Sequence, residues 1–306
     1  MKNKNSQENI RKIGKPRLLI LGCGDVGMRL LPLVRDRFRV FAVTSQKARS
    51  AELRAAGAVP IIADLDRPQD ITRLAGLASL IVHLAPPQPH GKHDRRTRNL
   101  TAILPEGAKL VYVSTSGVYG DCGGALIDET RPLAPRNARA WRRVDAERTL
   151  RAWARRSGAR LAILRVPGIY AADRLPLERL QKGVPALRPE DDVFTNHIHA
   201  DDLARIIATA LFRAQACRVY HATDDTRMKM GDYFDAVADA AGLPRPPRLP
   251  RSALEQALSP LQLSFLSESR RLSNARMKAE LGVHLRYPHV ADTLAQAFPH
   301  SLALQP

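Results

Sequence analysis

The chain of 306 residues is long enough to bury a full core, either as one large domain or as a main domain with a smaller lobe. Its hydrophobic content of 44% is typical of a globular protein. Since no apolar run approaches the roughly 20 residues that a membrane span requires, the sequence predicts no membrane helix. The cysteines, Cys23, Cys122 and Cys217, have no metal-like spacing and indicate no disulfide framework. This cysteine usage favours the cytoplasm.

The formal net charge of +18 favours anionic partners, such as nucleotide phosphates or nucleic acid. We find no helix-turn-helix signature, zinc-finger spacing or alternation of basic and aromatic residues, so nucleic-acid binding is disfavoured. Residues 1–15 are polar and charged and lack the apolar segment of a signal peptide. They predict a disordered basic tail.

Apolar strand-like runs alternate with helical patterns along the first half of the chain. The predicted strands are 17–21, 38–43, 59–62, 80–84, 109–114, 161–165 and 218–221. The helical patterns between them cover 25–36, 47–56, 69–75, 94–104, 140–157 and 201–213. This alternation is typical of repeated βαβ units, so we expect an α/β fold with a Rossmann-type doubly wound parallel sheet.

The regular alternation stops after residue 166, where prolines break up the pattern. We therefore expect a dinucleotide-binding core over 16–166, completed by 190–222. A small C-terminal substrate-binding lobe would be assembled from 167–189 and 223–306. Such a lobe would cover the carboxyl edge of the sheet, where open α/β folds bind their ligands.

The glycine-rich turn after the first strand carries the strongest functional signal. Gly22 permits a tight turn, Gly24 lets the backbone approach a diphosphate, and Gly27 allows close packing of helix on strand. The diphosphate would lie at the positive end of the helix that begins near Asp25 and Val26. The alternative is a tight turn that binds nothing.

The second strand ends without the carboxylate that usually holds the ribose hydroxyls of NAD. Ser45, Lys47 and Arg49 follow it instead, and a hydroxyl with two cations suits the 2′-phosphate of NADP. The sequence thus favours NADP over NAD. Alternatively, Lys47 and Arg49 belong to the first turn of a helix and have no cofactor role.

Several further segments occur in a characteristic order. These are Asp64-Leu65, His83-Leu84-Ala85-Pro86, Val111 to Gly120 (VYVSTSGVYG), Leu164 to Tyr170 (LRVPGIY), Asn196 to Ala204 (NHIHADDLA) and Asn274 to Gly282. In this order the chain resembles the extended short-chain dehydrogenase/reductase superfamily, specifically its NAD-dependent epimerase/dehydratase group. The resemblance covers about residues 16 to 290.

The resemblance implies roles at matching positions. Asp64 and Leu65 would contact the adenine, and Ala85 would lie near the nicotinamide half of the cofactor. Thr115 takes the place of the catalytic Ser/Thr and would hydrogen-bond a substrate carbonyl or hydroxyl; the alternative is a capping hydroxyl. Further cofactor contacts are expected from Leu84, Pro86, Ser114 and Pro167.

The chain departs from the family at its proton-transfer pair, Tyr-x-x-x-Lys. With Glu147 taken as the glutamate four residues after the lysine, Arg143 stands at the lysine position and Arg139 at the tyrosine position. Arg143 could still hydrogen-bond the nicotinamide ribose, but a guanidinium stays protonated and cannot exchange a proton as a phenol does. Tyr170, at the mouth of the expected cleft, and Tyr119 are candidate replacement acids.

The resemblance implies an NAD(P)-dependent oxidoreductase or epimerase/dehydratase acting on a hydroxyl or carbonyl group. The substrate would be a sugar or nucleotide-sugar, or another sugar-like or anionic small molecule, and we expect Arg174, Arg188 or Arg271 to line its pocket. The alternative is a catalytically silent NADP-binding redox sensor or regulator.

Two further expectations concern metal and self-association. His197, His199, Asp201 and Asp202 match no common metal spacing, and Asp201 is predicted to cap a helix, so no metal site is expected. A homodimer through helices 94–104 and 140–157 is also considered, although the dense arginines of the second helix oppose it.

Overall fold

The computed structural model describes residues 14–299. Fifteen strands lie in this range, seven of them in one central sheet and eight in two-stranded pairs. The strands are β1 (Arg17–Leu21), β2 (Arg39–Thr44), β3 (Val59–Ile62), β4 (Leu80–His83), β5 (Lys109–Thr115), β6 (Leu126–Ile127), β7 (Arg160–Val166), β8 (Gly168–Tyr170), β9 (Ala186–Leu187), β10 (Phe194–Thr195), β11 (His197–His199), β12 (Arg218–His221), β13 (Met228–Lys229), β14 (Arg248–Leu249) and β15 (Arg271–Leu272).

Helices connect and cover these strands. They are α1 (Asp25–Val34), α2 (Ser50–Ala55), α3 (Pro68–Thr72), α4 (Arg95–Thr101), α5 (Ala138–Ser157), α6 (Leu177–Gln181), α7 (Ala200–Arg213), α8 (Met230–Ala240), α9 (Arg251–Ala257), α10 (Pro260–Phe265), α11 (Ala275–Leu281) and α12 (Val290–Ala297). Short 3-10 turns occupy 47–49, 116–119 and 172–174.

The central sheet has the order β12-β7-β5-β4-β1-β2-β3, and every neighbouring pair is parallel. The order reverses between β1 and β4, so the carboxyl ends of these two strands flank the crevice where doubly wound sheets bind ligands. The predicted Rossmann-type sheet is confirmed. The seven strands predicted from apolar runs match the observed ones to within one residue at every end.

Helices cover both faces of the sheet, as the doubly wound expectation requires. On one face, α1 and α7 pack on the strands through Leu30, Leu31 and Ile206 among others. On the other face, α5 buries Leu150 and Trp153 against the sheet. Because both faces are covered, the central strands are apolar on both sides, which explains why they read as continuous hydrophobic runs.

The segments after residue 166 form a separate apolar cluster around α8, in which Tyr233, Phe234 and Val237 pack with Leu180 and Leu294. Another cluster joins Leu187 to α9 through Leu254. Most residues of these two clusters come from the segments expected to form the lobe.

The expected lobe boundaries differ from the packing in one respect. In α11, Met277 and Leu281 belong to the core cluster under α7, and β15 pairs in parallel with β6. Residues 271–283 therefore pack with the core instead of the lobe, because their apolar side chains find the larger buried surface there.

No helix within residues 14–299 is long and apolar enough to cross a membrane. The predicted tail, residues 1–15, lies almost wholly outside the described residues.

Candidate functional site

The glycine-rich turn closes on the neighbouring strands. Gly22 has φ +82°, and the backbone N–H groups of Gly22 and Cys23 both donate to the carbonyl of Val43. A Cβ on Gly22 would lie 2.7 Å from the backbone of Ala85. A Cβ on Gly27 would approach the Cys23 sulfur at 2.8 Å. Two of the three glycines are therefore required by the packing of the turn itself.

Gly24 differs from the other two, because a Cβ there would meet nothing within 4 Å. It is the N-cap residue of α1 and supplies no side-chain hydrogen bond to the first turn. The first-turn N–H groups thus lack a side-chain acceptor beside an open space, which is the arrangement that receives phosphate oxygens at a helix N-terminus. The turn fits the diphosphate of a dinucleotide.

Asp25 follows this open position, and two arginines balance its negative charge. Arg174 donates to its carboxylate at 2.6 Å and Arg29 at 3.2 Å. Partial burial alone would raise the pKa of Asp25, but these hydrogen bonds and charges lower it below the usual value. Arg29 also reaches Asp173 and Asp201 at 2.7 and 2.8 Å. The network ties the lobe to the start of α1.

The end of β2 presents Ser45 and Lys47 to solvent. Arg49 turns back toward the glycine-rich turn and donates to the carbonyl of Cys23 at 2.5 Å. It also pairs with Glu52 at 2.8 Å, an acid that the sequence reasoning overlooked. A cation and a carboxylate therefore both lie where the ribose next to the adenine is expected.

The loops after β3 and β4 are linked to each other. Asp64 Oδ1 accepts from the backbone N–H of Asp66 at 2.9 Å, and Leu65 is buried. Arg96 joins the Asp66 carboxylate, at 2.6 Å, to the carbonyl of Pro86. These contacts hold the loops after β3 and β4 together at the edge of the sheet where the adenine is expected.

A cleft of about 430 Å³ opens at the carboxyl ends of the sheet strands. It begins at Val26 in the first turn of α1 and passes Leu84, Thr115 and Pro167. The far side of the cleft is lined by Met230, Ser264, Glu268 and Arg270. The cleft therefore runs from the first turn of α1 to the expected catalytic position at Thr115.

Thr115 ends β5 and lines this cleft, while its Oγ1 accepts from the backbone N–H of Gly117 at 3.2 Å. Thr115 caps a short turn and also lines the cleft, so a capping role and a hydrogen bond to substrate are compatible.

Ser114 is bound to the core. Its hydroxyl donates to Glu147 Oε1 at 2.7 Å, and both side chains are buried. Glu147 in turn pairs with Arg165 at 2.7 Å, with side chains only 2% and 4% exposed. Ser114 also lines the cleft, but its hydroxyl proton is donated to this buried ion pair.

The same network contains Tyr119. Its hydroxyl accepts from Arg165 at 2.6 Å and lies 2.6 Å from His221 Nε2. Tyr119 is 1% exposed, and burial raises its pKa to about 12. Tyr119 therefore joins β5, β7 and β12 below the cleft and does not reach it as a replacement acid.

Tyr170 also lies away from the position we expected for it. Its side chain is 1% exposed and packs edge-on against His197 and His199 in the lobe cluster around α8. Burial is the main cause that raises its pKa above the usual value. The expectation that Tyr170 stands at the mouth of the cleft is corrected, because the apolar lobe cluster buries its ring.

The two arginines at the Tyr-x-x-x-Lys positions do line the cleft. Arg143 donates to the carbonyl of Val113 at 2.9 Å and to the hydroxyl of Tyr112 at 3.0 Å. Arg139 lies one turn earlier on α5 and closer to solvent. Burial, with the charges of Arg143 and Arg142, lowers the pKa of Arg139, and Glu268 opposes that shift.

The arginines expected to line a substrate pocket are not those that do. Arg174 binds Asp25, Arg188 binds Asp191 and Arg271 lies over the ring of Phe194. The described cleft is lined instead by Arg139, Arg143 and Arg270.

The pair Glu268 and Arg270 was missed by the sequence reasoning. Arg270 donates to Glu268 at 2.8 Å and to the carbonyl of Gly120 at 2.6 Å. Both residues precede β15, and the parallel pairing of β15 with β6 brings them to the cleft. This long-range pairing has no local signal in the sequence.

The histidine–aspartate segment has structural contacts. His199 is the N-cap of α7 and its Nδ1 accepts from the N–H of Asp201, which corrects the predicted cap by two residues. Asp202 is buried and accepts from the backbone N–H groups of Arg286 and Tyr287. Within residues 14–299 no group of three potential ligands could hold a metal ion.

The parallel sheet, the uncapped N-terminus of α1 beside Gly24 and the cleft that leads from it define a Rossmann-type α/β protein with a dinucleotide-binding architecture.

Comparison with known protein families identifies the family to which the chain belongs. The model of the RmlD substrate binding domain family matches residues 97–296, more than half of the chain. The chain belongs to this family and to the NAD-dependent epimerase/dehydratase group of the extended short-chain dehydrogenases/reductases. A comparison with curated proteins finds no match.

Solved structures agree with this assignment. A functionally unknown conserved protein from Silicibacter pomeroyi DSS is 29% identical over 92% of this chain and 98% of its own, with a TM-score of 0.77. A putative NAD-dependent epimerase/dehydratase from Methylobacillus flagellatus is 28% identical over 95% of this chain and 100% of its own, with a TM-score of 0.69.

The dTDP-glucose 4,6-dehydratase DesIV from Streptomyces venezuelae, solved with NAD and TYD bound, shares the fold. It is 21% identical over 92% of this chain and 96% of its own, with a TM-score of 0.74.

Proposed function

We propose that the protein is an NADP-preferring enzyme of the oxidoreductase or epimerase/dehydratase type that acts on a hydroxyl or carbonyl group. The observation that carries this proposal is the continuous cleft from the first turn of α1, at Val26, to Thr115 at the end of β5. Such a cleft suits a dinucleotide with its diphosphate on the helix N-terminus and its nicotinamide beside the substrate.

The residues divide along the cofactor. The open face at Gly24 would receive the diphosphate, with Gly22 and Gly27 shaping the turn and with Asp25 and Val26 opening the helix. Asp64, Leu65, Leu84, Ala85 and Pro86 would line the cofactor, and Pro167 would bound its nicotinamide end. A nicotinamide cofactor supplies the hydride acceptor or donor.

The preference for NADP depends on the end of β2. Arg49 already holds the carbonyl of Cys23 and the carboxylate of Glu52. We propose that Arg49, with Ser45 and Lys47, binds the 2′-phosphate. Glu52 is the competing feature, because a carboxylate there could accept from a ribose hydroxyl and favour NAD.

At the reacting end, Thr115 would hydrogen-bond a substrate oxygen. Arg143 is held against β5 through Val113 and would bind the nicotinamide ribose. A fixed guanidinium there also stabilises negative charge that develops on a substrate oxygen.

The primary experiment is a fluorescence titration with NADPH and NADH at fixed ionic strength. We expect NADPH to bind much more tightly than NADH. Gly24→Ala should weaken NADPH binding and leave thermal stability unchanged, since its methyl group meets no protein atom. Failure of the wild-type chain to bind either nucleotide would refute the proposal.

The NADP preference has its own variants. Arg49→Ala should weaken NADPH binding by about tenfold or more and change NADH binding little, because it removes one charge-assisted contact. Glu52→Gln is the matched control and should not weaken NADPH binding. A parallel loss of NADH binding in Arg49→Ala would instead indicate that Arg49 supports the turn.

A second function is a catalytically silent NADP-binding sensor or regulator. The observation in its favour is that the described lining of the cleft holds Arg139 and Arg143 and contains no tyrosine, histidine or lysine. Single-turnover experiments that follow hydride transfer from bound NADPH to a panel of carbonyl compounds distinguish the two, since a silent protein binds NADPH and transfers none.

A further inference from the structure

The charges of the cleft are unbalanced at the reacting end. Arg139 and Arg143 come from α5, and Arg270 comes from the segment before β15. Glu268 is the one acidic side chain among the described lining residues. The cleft that contains Thr115 therefore carries two net positive charges, which attract an anionic group more strongly than a neutral one.

Glu268 shows what kind of group these arginines accept. Its side chain is 7% exposed, and Arg270, at 12%, donates to it at 2.8 Å. Arg139 lines the same cleft as Glu268 and Arg270. The buried Nε of Arg270 has no hydrogen-bond acceptor among residues 14–299. A carboxylate thus already occupies this part of the cleft, and one donor beside it is still unsatisfied.

A planar guanidinium matches a carboxylate through two parallel hydrogen bonds. Arg143 is committed on one nitrogen to β5 through Val113 and Tyr112. Arg139 and Arg270 approach from α5 and from the lobe side, so they can hold one anion between the two parts of the molecule. Burial within the cleft strengthens such a pair relative to one in bulk water.

Building on the proposed function, we propose that the substrate carries a carboxylate near its reacting carbon and that Arg139 and Arg270 bind this group. Glu268 is an internal counter-ion that the substrate carboxylate displaces from Arg270. The substrate class is then a small hydroxy or oxo acid, including sugar acids. Arg139 thereby serves in substrate binding at the position where the family has its tyrosine.

The test is isothermal titration of the full chain with oxalate, in the presence and absence of saturating NADPH, with inorganic phosphate as the second probe. Arg139→Gln and Arg270→Gln should each weaken oxalate binding at least tenfold. Arg156→Gln, at the exposed end of the same helix α5, is the matched control and should leave it unchanged. Tighter binding of phosphate than of oxalate would overturn the assignment of a carboxylate.

Glu268→Gln should change oxalate binding in the opposite direction from the two arginine variants. It removes the internal competitor while preserving size, so oxalate should bind several-fold more tightly. A merely structural role for Glu268 would leave binding unchanged or weaken it. Arg270 also donates to the carbonyl of Gly120, so Arg270→Gln could unfold the chain. Arg139 is more exposed, so Arg139→Gln still tests the proposal in that case.

The outcomes separate this inference from the proposed function. Binding of NADPH without binding of oxalate would overturn the carboxylate site and leave the cofactor proposal intact. Binding of oxalate that depends on Arg139, in a chain that does not bind NADPH, would refute the proposed function and leave the anion site standing. Equal weakening by Arg139→Gln and Arg156→Gln would overturn the site by showing a non-specific charge effect.

Discussion

The buried pair of Glu147 and Arg165 makes a strong test of the reasoning, because Glu147 also holds Ser114, the residue before Thr115. Glu147 accepts from Ser114 at 2.7 Å and from two nitrogens of Arg165 at 2.7 and 3.2 Å. Glu147→Gln preserves the shape but leaves the Arg165 charge without its counter-ion. Removing one partner of such a pair costs about 3–5 kcal/mol.

The measurement is urea unfolding followed by circular dichroism. Glu178→Gln is the control, because Glu178 pairs with Lys182 while their side chains are 81% and 65% exposed. That variant should change the free energy of unfolding far less than Glu147→Gln does, as exposed pairs contribute little.

A double-mutant cycle then isolates the interaction. Glu147→Gln combined with Arg165→Met should lose clearly less free energy of unfolding than the sum of the two single variants, since the second change removes the stranded charge. A loss below about 1 kcal/mol for Glu147→Gln, or strict additivity in the cycle, would refute the reasoning.

Three further predictions concern other buried positions. Burial raises the pKa of Asp224 to about 7, so its folded form binds a proton that the unfolded form loses near pH 4. The stability of the wild type relative to Asp224→Asn should therefore fall from about pH 4 to 7 in urea unfolding, and a pH-independent difference would contradict this. Gly22→Ala should lower the thermal midpoint strongly, because its Cβ meets the Ala85 backbone at 2.7 Å with φ +82°; an unchanged midpoint would contradict the packing. Asp202→Asn should cost about 1–3 kcal/mol in urea unfolding, since one carboxylate oxygen accepts from the N–H groups of Arg286 and Tyr287 and the other from Arg205, and an amide NH2 can accept at neither place; a cost near zero would show that those contacts contribute little.

Much of the fold could be predicted because its signals are local. Each strand of the central sheet is a short apolar run, and such runs appear in sequence wherever both faces of a strand are buried. The glycine-rich turn is equally local: Gly22 and Gly27 are fixed by close contacts with Ala85 and Cys23.

The composition of the cleft could be predicted only in part. Thr115, Leu84 and Pro167 line it, because the carboxyl ends of parallel strands meet at one edge of the sheet. Tyr170 follows its strand just as closely, yet the packing of the lobe buries its ring. Whether a residue beyond a strand end faces the cleft depends on what packs over it.

The sequence by itself determined the sheet, the glycine-rich turn and the replacement of the Tyr-x-x-x-Lys pair by Arg139 and Arg143. The tertiary structure alone decided that Ser114 faces Glu147 and that Glu268 and Arg270 enter the cleft beside residues more than 120 positions away. Backbone propensity and hydrophobic period act over a few residues. The partner of a buried charge is chosen by which distant segments pack together.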